Sequence, residues 1–168
     1  MVESRTGSQG TAFATTTMRA PSAGLGMLTH SLEDYLEAIV TLAGSGTEPV
    51  RPVDVASKLQ VSKASVTKSV SALREKGLVT QEHYGDIALT PEGFRYGNEI
   101  WRRHNLLYRF MTEVLGIDQA TANQEACQIE HGISPQSFSK WEEYLRSVGI
   151  EIDQDPSQPP DLGTPTKD

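Results

Sequence analysis

Three residues with metal-binding side chains lie close together in the second half of the chain. Cys127, Glu130 and His131 are three and four positions apart in the stretch QEACQIEHGIS. If this stretch is helical, all three side chains project from one face. A thiolate, a carboxylate and an imidazole on one face could form part of a site for a divalent transition metal.

Two other segments offer candidate ligands. Asp34 and Glu37 are three positions apart, so their carboxylates share one face of a predicted first helix. His104 lies in WRRHNLL, on a predicted long helix. Carboxylates near a helix start are often only partners of the helix dipole, and a lone cysteine is often a small buried apolar residue. The residues alone therefore leave both a metal site and these simpler explanations open.

The order of predicted elements in residues 29–96 is typical of a winged helix-turn-helix. A first helix is expected with Ser31 as its N-cap. A short helix starting near Pro52, a tight turn, and a second short helix capped by Ser62 form the helix-turn-helix. The residues that follow are typical of a β-hairpin, with its turn at 84–86, and a hairpin in this position is a wing.

Charge is distributed unevenly along the chain. The formal net charge of −7 over 168 residues by itself argues against a nucleic-acid partner. Basic residues nevertheless crowd the segment 51–76, where only Asp54 and Glu75 oppose them. The local field matters more for DNA binding than the total charge, and the full order of helices and wing favours a DNA contact over a merely solvated helix face. The candidate DNA contacts are Ser62, Lys63, Ser65, Thr67, Lys68 and Ser69.

The second half of the chain is predicted to be helical. A long helix is expected from Pro91, another over about 119–131, and a last one from Ser134 through Leu145. Five apolar residues exceed what one thin helical layer could bury within a monomer, which predicts a homodimer and, from its two-fold symmetry, a palindromic double-stranded DNA operator. These five are Leu106, Leu107, Phe110, Met111 and Val114.

The remaining features bound the class of protein. Residues 1–28 are expected to be a disordered leader, and the Pro-rich, acidic residues 151–168 a disordered tail. There is no apolar run long enough to cross a bilayer, no secretory signal pattern, and one cysteine, which cannot form an internal disulfide. These features predict a cytoplasmic protein without a membrane partner.

Five motifs, in the same order, resemble the DtxR/MntR family of bacterial metal-dependent transcriptional repressors: SLEDYLEAIVTL, SVTKSVSALREKGLV, LTPEG, RRHNLL and EACQIEHGIS. The resemblance spans about residues 28–145. It implies a mainly α-helical fold with a small β-wing, in which a winged-helix DNA-binding domain at 29–96 is followed by a helical metal-binding and dimerisation domain at 97–150. It also implies a regulator that represses metal-uptake genes when the cell is replete, and not an enzyme.

The resemblance also implies a ligand set. Carried over motif by motif, the ligands of the manganese-type members fall on Asp34, Glu37, His104, Glu130 and His131. Position 127 is a carboxylate in the best-known manganese regulator and a cysteine in iron-type members, whereas the position of Asp34 is a methionine in iron-type members. The chain thus mixes two patterns. Hard carboxylates favour Mn²⁺ and a thiolate favours softer ions, so we expect Mn²⁺ first and Fe²⁺ second, with Co²⁺ or Zn²⁺ able to substitute in vitro.

Other classes of protein stay open at this point. Cys127 could be the sensor of an oxidant or of a small organic ligand in a winged-helix regulator whose metal is purely structural, which would require an exposed thiolate of low pKa. A metal could also be purely structural and stabilise a repressor that binds DNA constitutively. A metal-dependent hydrolase with Glu130 as general base is disfavoured, because the chain lacks HExxH and the DNA-reading part uses most of its folded length.

Overall fold

The computed structural model describes residues 28–44, 48–83 and 85–152, and within them the fold is mainly α-helical with one two-stranded antiparallel sheet. This confirms the predicted fold class. The α-helices are α1 (His30–Ala43), α2 (Pro52–Leu59), α3 (Lys63–Glu75), α4 (Pro91–Arg109), α5 (Gln119–Ile129) and α6 (Pro135–Ser147). The strands are β1 (Val79–Gln81) and β2 (Ile87–Leu89). A π-helical segment, Phe110–Val114, follows α4, and one 3-10 turn, Glu130–Gly132, follows α5.

Side-chain caps set where the helices begin. Ser62 caps α3 as predicted, since its hydroxyl accepts a hydrogen bond from the backbone N–H of Ser65 at 3.1 Å. The prediction that Ser31 caps α1 is wrong. Thr29, in extended conformation, accepts from the N–H of Leu32, so the helix begins at His30 and Ser31 already lies within its first turn.

The wing is connected to the loop between α1 and α2 as well as to α3. Gln81 pairs with Ile87 in the hairpin, and Ile87 also exchanges two backbone hydrogen bonds of 2.8 Å with Val50. The predicted turn at 84–86 is only partly described, because Tyr84 lies outside the described residues. Val50 therefore connects β2 of the wing to the chain segment that precedes α2.

One threonine connects α3, the wing and α4. The Thr90 hydroxyl donates to the carbonyl of Gly77, just after α3, at 2.8 Å. The same oxygen accepts the backbone N–H of Gly93 at 3.0 Å and so caps α4. Gly93 has no room for a side chain, because a Cβ there would lie 1.8 Å from the carbonyl oxygen of Leu78. The base of the wing and the start of α4 are thus in direct backbone contact.

Two hydrophobic clusters share α4. The first contains α1, α2, α3, the wing and α4 as far as Ile100. The second contains the end of α4 from Leu106, together with α5 and α6. At the two ends of the described chain, Leu28 is buried in the first cluster and Ile152 in the second. Gly97 lets α1 approach α4 closely, since a Cβ there would lie 2.4 Å from Cγ2 of Val40.

The packing around the second cluster differs from the sequence analysis in two respects, the covering of the apolar residues and the end of α5. Leu106, Leu107 and Met111 are buried within one chain, and Phe110 and Val114 pack against the same cluster, so the reasoning that these five residues need a second subunit is wrong. Helices α5 and α6 of the same chain cover these five apolar residues. The predicted helix over 119–131 ends earlier, at Ile129, and its last residues form the 3-10 turn instead. Among the described residues, no helix combines the length and the apolar composition that crossing a bilayer would need.

Candidate metal centre

The structure brings all six predicted ligand residues together. Asp34 and Glu37 project from α1 and His104 from α4, while Cys127 is in the last turn of α5. Glu130 and His131 follow in the 3-10 turn. Because α1 and the end of α5 both pack against α4, residues almost 100 positions apart in the chain meet at one place. Their role as metal ligands stays a prediction.

Five of the six residues form two overlapping groups, and His131 belongs to neither. In the first, one ligand atom each from Asp34, Cys127 and Glu130 lies within 4.8 Å of the other two. In the second, the same limit of 4.8 Å holds for Glu37, His104 and Glu130. Glu130 is common to both. His104 Nδ1 is 2.7 Å from Glu130 Oε2 and 3.9 Å from Glu37 Oε1.

Glu130 is the most constrained side chain of the centre. It is fully buried, and its Oε1 has no hydrogen-bond partner among the described residues. Nε2 of His131 is 3.7 Å away from this oxygen. A buried carboxylate oxygen without a partner is costly, and a cation would satisfy it. Together with the imidazoles and the Cys127 thiol, this orphan oxygen fits a divalent transition metal.

The electrostatics of the centre favour bound protons when no other positive charge is present. Burial, and next the charge of Glu130, raise the pKa of Glu37 from 4.5 to about 7. Burial likewise raises the pKa of Glu130. For His104 burial alone would lower the pKa, but the hydrogen bond to Glu130 and the charges of Glu37 and Glu130 outweigh it, and the pKa is raised. Metal binding at such a centre must displace protons.

Cys127 lacks the properties of a redox-sensing thiol. It is half-buried, and burial, with the charges of Glu130, Asp34 and Glu37, raises its pKa to about 12. The oxidant-sensing alternative requires an exposed thiolate of low pKa, so this environment opposes it. A nearby divalent cation is what would favour the thiolate form instead.

Sequence reasoning missed Glu33. This carboxylate is buried, accepts a hydrogen bond from the Tyr96 hydroxyl at 2.8 Å, and lies 2.6 Å from Nδ1 of His131. Nε2 of His131 is 3.1 Å from Asp34 Oδ1, and the His131 ring stacks on that of His30 with centroids 4.6 Å apart. One signal was present in the sequence, since Glu33 and Glu37 are four positions apart and share a helix face.

The candidate DNA contacts lie together on α3. Five of the six are exposed, and Ser69 is half-buried. Several of their hydroxyls have partners within the helix: Ser62 and Ser65 share a hydrogen bond of 2.9 Å, and Thr67 donates to the carbonyl of Lys63 at 3.0 Å. Lys63 and Lys68 therefore supply most of the unsatisfied donor capacity of this face.

Comparisons with known proteins agree with this architecture. Residues 27–87 match the family model described as iron dependent repressor, N-terminal DNA binding domain. Residues 90–160 match the model described as iron dependent repressor, metal binding and dimerisation domain. The first match ends at the first residue of β2, and the second begins at Thr90, the N-cap of α4. His104 and the cluster at 127–131 lie in the second match, whereas Asp34 and Glu37 lie in the first.

Individual relatives are similar over most of this chain. The HTH-type transcriptional regulator MntR of Lysinibacillus sphaericus is 36% identical over 68% of this chain and 81% of the relative. The diphtheria toxin repressor of Corynebacterium diphtheriae is 29% identical over 72% of this chain and 53% of the repressor. A manganese-dependent transcriptional repressor, solved in complex with manganese, aligns with a TM-score of 0.60 at 30% identity, over 68% of this chain and 52% of its own. The chain thus spans about half the length of the latter two.

Replacing Glu37 by Gln should flatten the pH dependence of stability of the metal-free protein. The pKa of Glu37 is raised on folding, so its protonation stabilises the folded state below pH 4.5, and this stability is lost as the pH rises through about 7. We expect the free energy of unfolding of the unsubstituted chain to fall by on the order of 1–3 kcal/mol across this window. Urea unfolding in chelator at pH 5 to 8 measures it. Exposed Glu143→Gln is the control, and an equal slope for Glu37→Gln and the unsubstituted chain would contradict the prediction.

Proposed function

The chain belongs to the iron-dependent repressor family of DNA-binding transcriptional regulators, and on that premise we propose that a divalent cation at the centre described above activates it for operator binding. The observation that carries the proposal is Glu130, a buried carboxylate with an unpartnered oxygen shared by two groups of ligand side chains. The family consists of transcriptional repressors, so the hydrolase alternative falls away. Repression of metal-uptake genes is the proposed output.

The ligand side chains join the two regions matched by the family models. Asp34 and Glu37 hold the cation from the DNA-binding region, and Cys127, Glu130, His131 and His104 hold it from the metal-binding region. When bound, the cation supplies positive charge that offsets the clustered carboxylates. Without it, burial and mutual repulsion favour protonated Glu37 and Glu130, and any carboxylates that stay ionised repel one another and oppose the approach of α1 to the 3-10 turn. Binding of metal and of DNA then reinforce each other reciprocally.

We propose Mn²⁺ as the physiological ion and Fe²⁺ as the second candidate. The two carboxylates of α1 support Mn²⁺, as does the similarity to a repressor solved with manganese, whereas Cys127 favours softer ions and the family models are named for iron. Sites of this kind bind Zn²⁺ more tightly than Mn²⁺, so cellular supply and coordination geometry decide between the ions. Two groups sharing Glu130 give room for two cations per subunit.

The metal dependence of DNA binding is the first experiment. Fragments from upstream of the chain's own gene and of metal-transporter genes are tested with chelator, then with Mn²⁺, Fe²⁺, Co²⁺ or Zn²⁺. We expect binding to appear with metal, and Glu130→Gln and His131→Ala to reduce the metal-induced gain in affinity by at least about tenfold, because the first removes the charge of a ligand and the second removes a ligand. Exposed Glu143→Gln is the matched control. Tight binding in chelator, unchanged by metal, would instead show a constitutive repressor with a structural site.

Lys68→Ala should weaken DNA binding at every sequence and reduce its salt dependence. Lys68 is exposed on α3, and a lysine that neutralises one phosphate contributes about one unit to the slope of log affinity against log salt. The slope is measured by fluorescence anisotropy between low and physiological salt. Lys140→Ala on α6, whose side chain is 72% exposed and paired with Glu143, is the control and should leave the slope unchanged. A normal slope for Lys68→Ala would place the phosphate contacts elsewhere.

We propose a homodimer whose interface uses the large apolar side chains that the second region leaves exposed. These are Leu115, Ile129, Tyr144 and Val148, between 41% and 55% exposed. They lie within residues matched by the dimerisation model, which supports their role. Two-fold symmetry then implies a palindromic operator.

Placing Lys at both Leu115 and Ile129 should raise the dimer dissociation constant by at least about tenfold, because two charges would be buried in an apolar contact. Sedimentation equilibrium over a range of concentrations measures the constant. Val53→Lys is the matched control, since Val53 is 46% exposed but lies on α2. An unaltered dimer in the double variant would exclude these two side chains from the interface.

A further inference from the structure

We propose that Glu33 is a positioning residue that holds the His131 imidazole in the tautomer protonated on Nδ1, so that Nε2 faces the ligand groups. The proposal rests on the proposed function of His131 as a metal ligand and deepens it. Neither Glu33 nor His131 belongs to the two groups of ligand atoms, but Nε2 of His131 lies 3.1 Å from Oδ1 of Asp34, a member of the first group. Glu33 acts through His131, from the side of the ring that faces away from Asp34 and Glu130.

The contact between Glu33 and His131 is short and shielded from water. Oε2 of Glu33 is 2.6 Å from Nδ1 of His131, and the side chains are 8% and 4% exposed. An ionised carboxylate only accepts hydrogen bonds, so Nδ1 must be the donor. On a neutral ring Nε2 then carries the lone pair and is the atom available to a cation.

The opposite side of the ring supports the same orientation. Nε2 of His131 lies 3.1 Å from Asp34 Oδ1 and 3.7 Å from the unpartnered Oε1 of Glu130. Because carboxylate oxygens face Nε2, a positive charge is favoured here, either as a second ring proton that Nε2 donates to Asp34 or as a cation that replaces this proton. By keeping a proton on Nδ1, Glu33 leaves Nε2 of His131 as the ring nitrogen that a cation between these carboxylates can bind.

Two aromatic residues restrain the pair. The Tyr96 hydroxyl donates to Glu33 Oε1 at 2.8 Å, so each oxygen of the carboxylate has its own donor. Burial and the hydrogen bond to Glu33 raise the pKa of Tyr96 to about 12, which keeps the donor proton in place at physiological pH. The His30 ring stacks on that of His131 with an angle of 10° between the planes and limits its rotation.

The general chemistry of such pairs gives the expected size of the effect. Metal-binding histidines commonly donate their second N–H to a carboxylate, which fixes the tautomer and raises the basicity of the ligand nitrogen. Loss of the orienting partner typically costs roughly 10- to 100-fold in metal affinity. Glu33 reaches His131 from α1, which carries Asp34 and Glu37, so the same helix would both supply ligands and orient one supplied by the second region.

The test begins with the metal-free chain. Long-range ¹H–¹⁵N NMR of the histidine side chains, at a pH where imidazole is neutral, reports the tautomer directly. We expect Nδ1–H for His131 in the unsubstituted chain and a shift toward Nε2–H in Glu33→Leu, which removes the acceptor. Nε2–H for His131 in the unsubstituted chain would overturn the proposal, whether or not Glu33→Leu folds.

The second measurement is the affinity of the chain for Co²⁺, by competition with a chromophoric chelator. Glu33→Leu should lose roughly 10- to 100-fold, whereas Glu33→Gln, whose amide oxygen can still accept from Nδ1, should retain most of the affinity. Equal losses in the two variants would mean that the charge of Glu33 matters and not its hydrogen bond, and the proposal would be wrong. His131→Ala distinguishes a failure of the proposed function from a failure of the role of Glu33. Unchanged Co²⁺ affinity in this variant would remove His131 from the ligand set, while the tautomer result would stand.

Discussion

The burial of the Glu130 carboxylate is the constraint on which the centre depends. A charged group with no access to water needs a positive partner, and the chain surrounds this one with two further carboxylates of α1 and a thiol. Ring nitrogens of His104 and His131 lie 2.7 Å and 3.7 Å from the two oxygens of Glu130. The packing of α1 against α4 and the end of α5 is thereby made conditional on what occupies the space between them. A purely structural core would use apolar residues here, which supports the proposed role of the centre in binding a cation.

Much of this arrangement could be predicted from the sequence, because its signals are local. Helix caps, the turn between α2 and α3 and the i, i+3 spacing of Asp34 and Glu37 depend only on neighbours along the chain. The covering of Leu106 and Met111 by α5 and α6 depends on tertiary packing, so the surplus of apolar residues suggested a second subunit where one chain sufficed. The short 3-10 turn was missed because Glu130 and His131 continue the helical spacing of α5.

Glu33 shows a different limit of sequence reasoning. In SLEDYLE three acidic residues occur within five positions, and nothing in their types distinguishes the one that faces a neighbouring tyrosine from the two that are candidate ligands. The packing of α4 on α1, which is close because Gly97 lies against Val40, decides which of these carboxylates meets the tyrosine. Local patterns thus predicted the candidate ligands, whereas the residue that we propose to orient one of them emerged from the packing of helices.

The junction at Thr90 has a consequence for the geometry of DNA reading. Because this residue joins the end of α3, the wing and α4, those elements turn together with the long helix. Helix α4 has 19 residues and is therefore about 28 Å long. A rotation of about 5° at one end of such a lever displaces the other end by about 2.5 Å, most of the ~3.4 Å step between stacked base pairs. A small rotation of α4 about its far end would therefore move its start, and the elements joined there, by a distance comparable to one base-pair step.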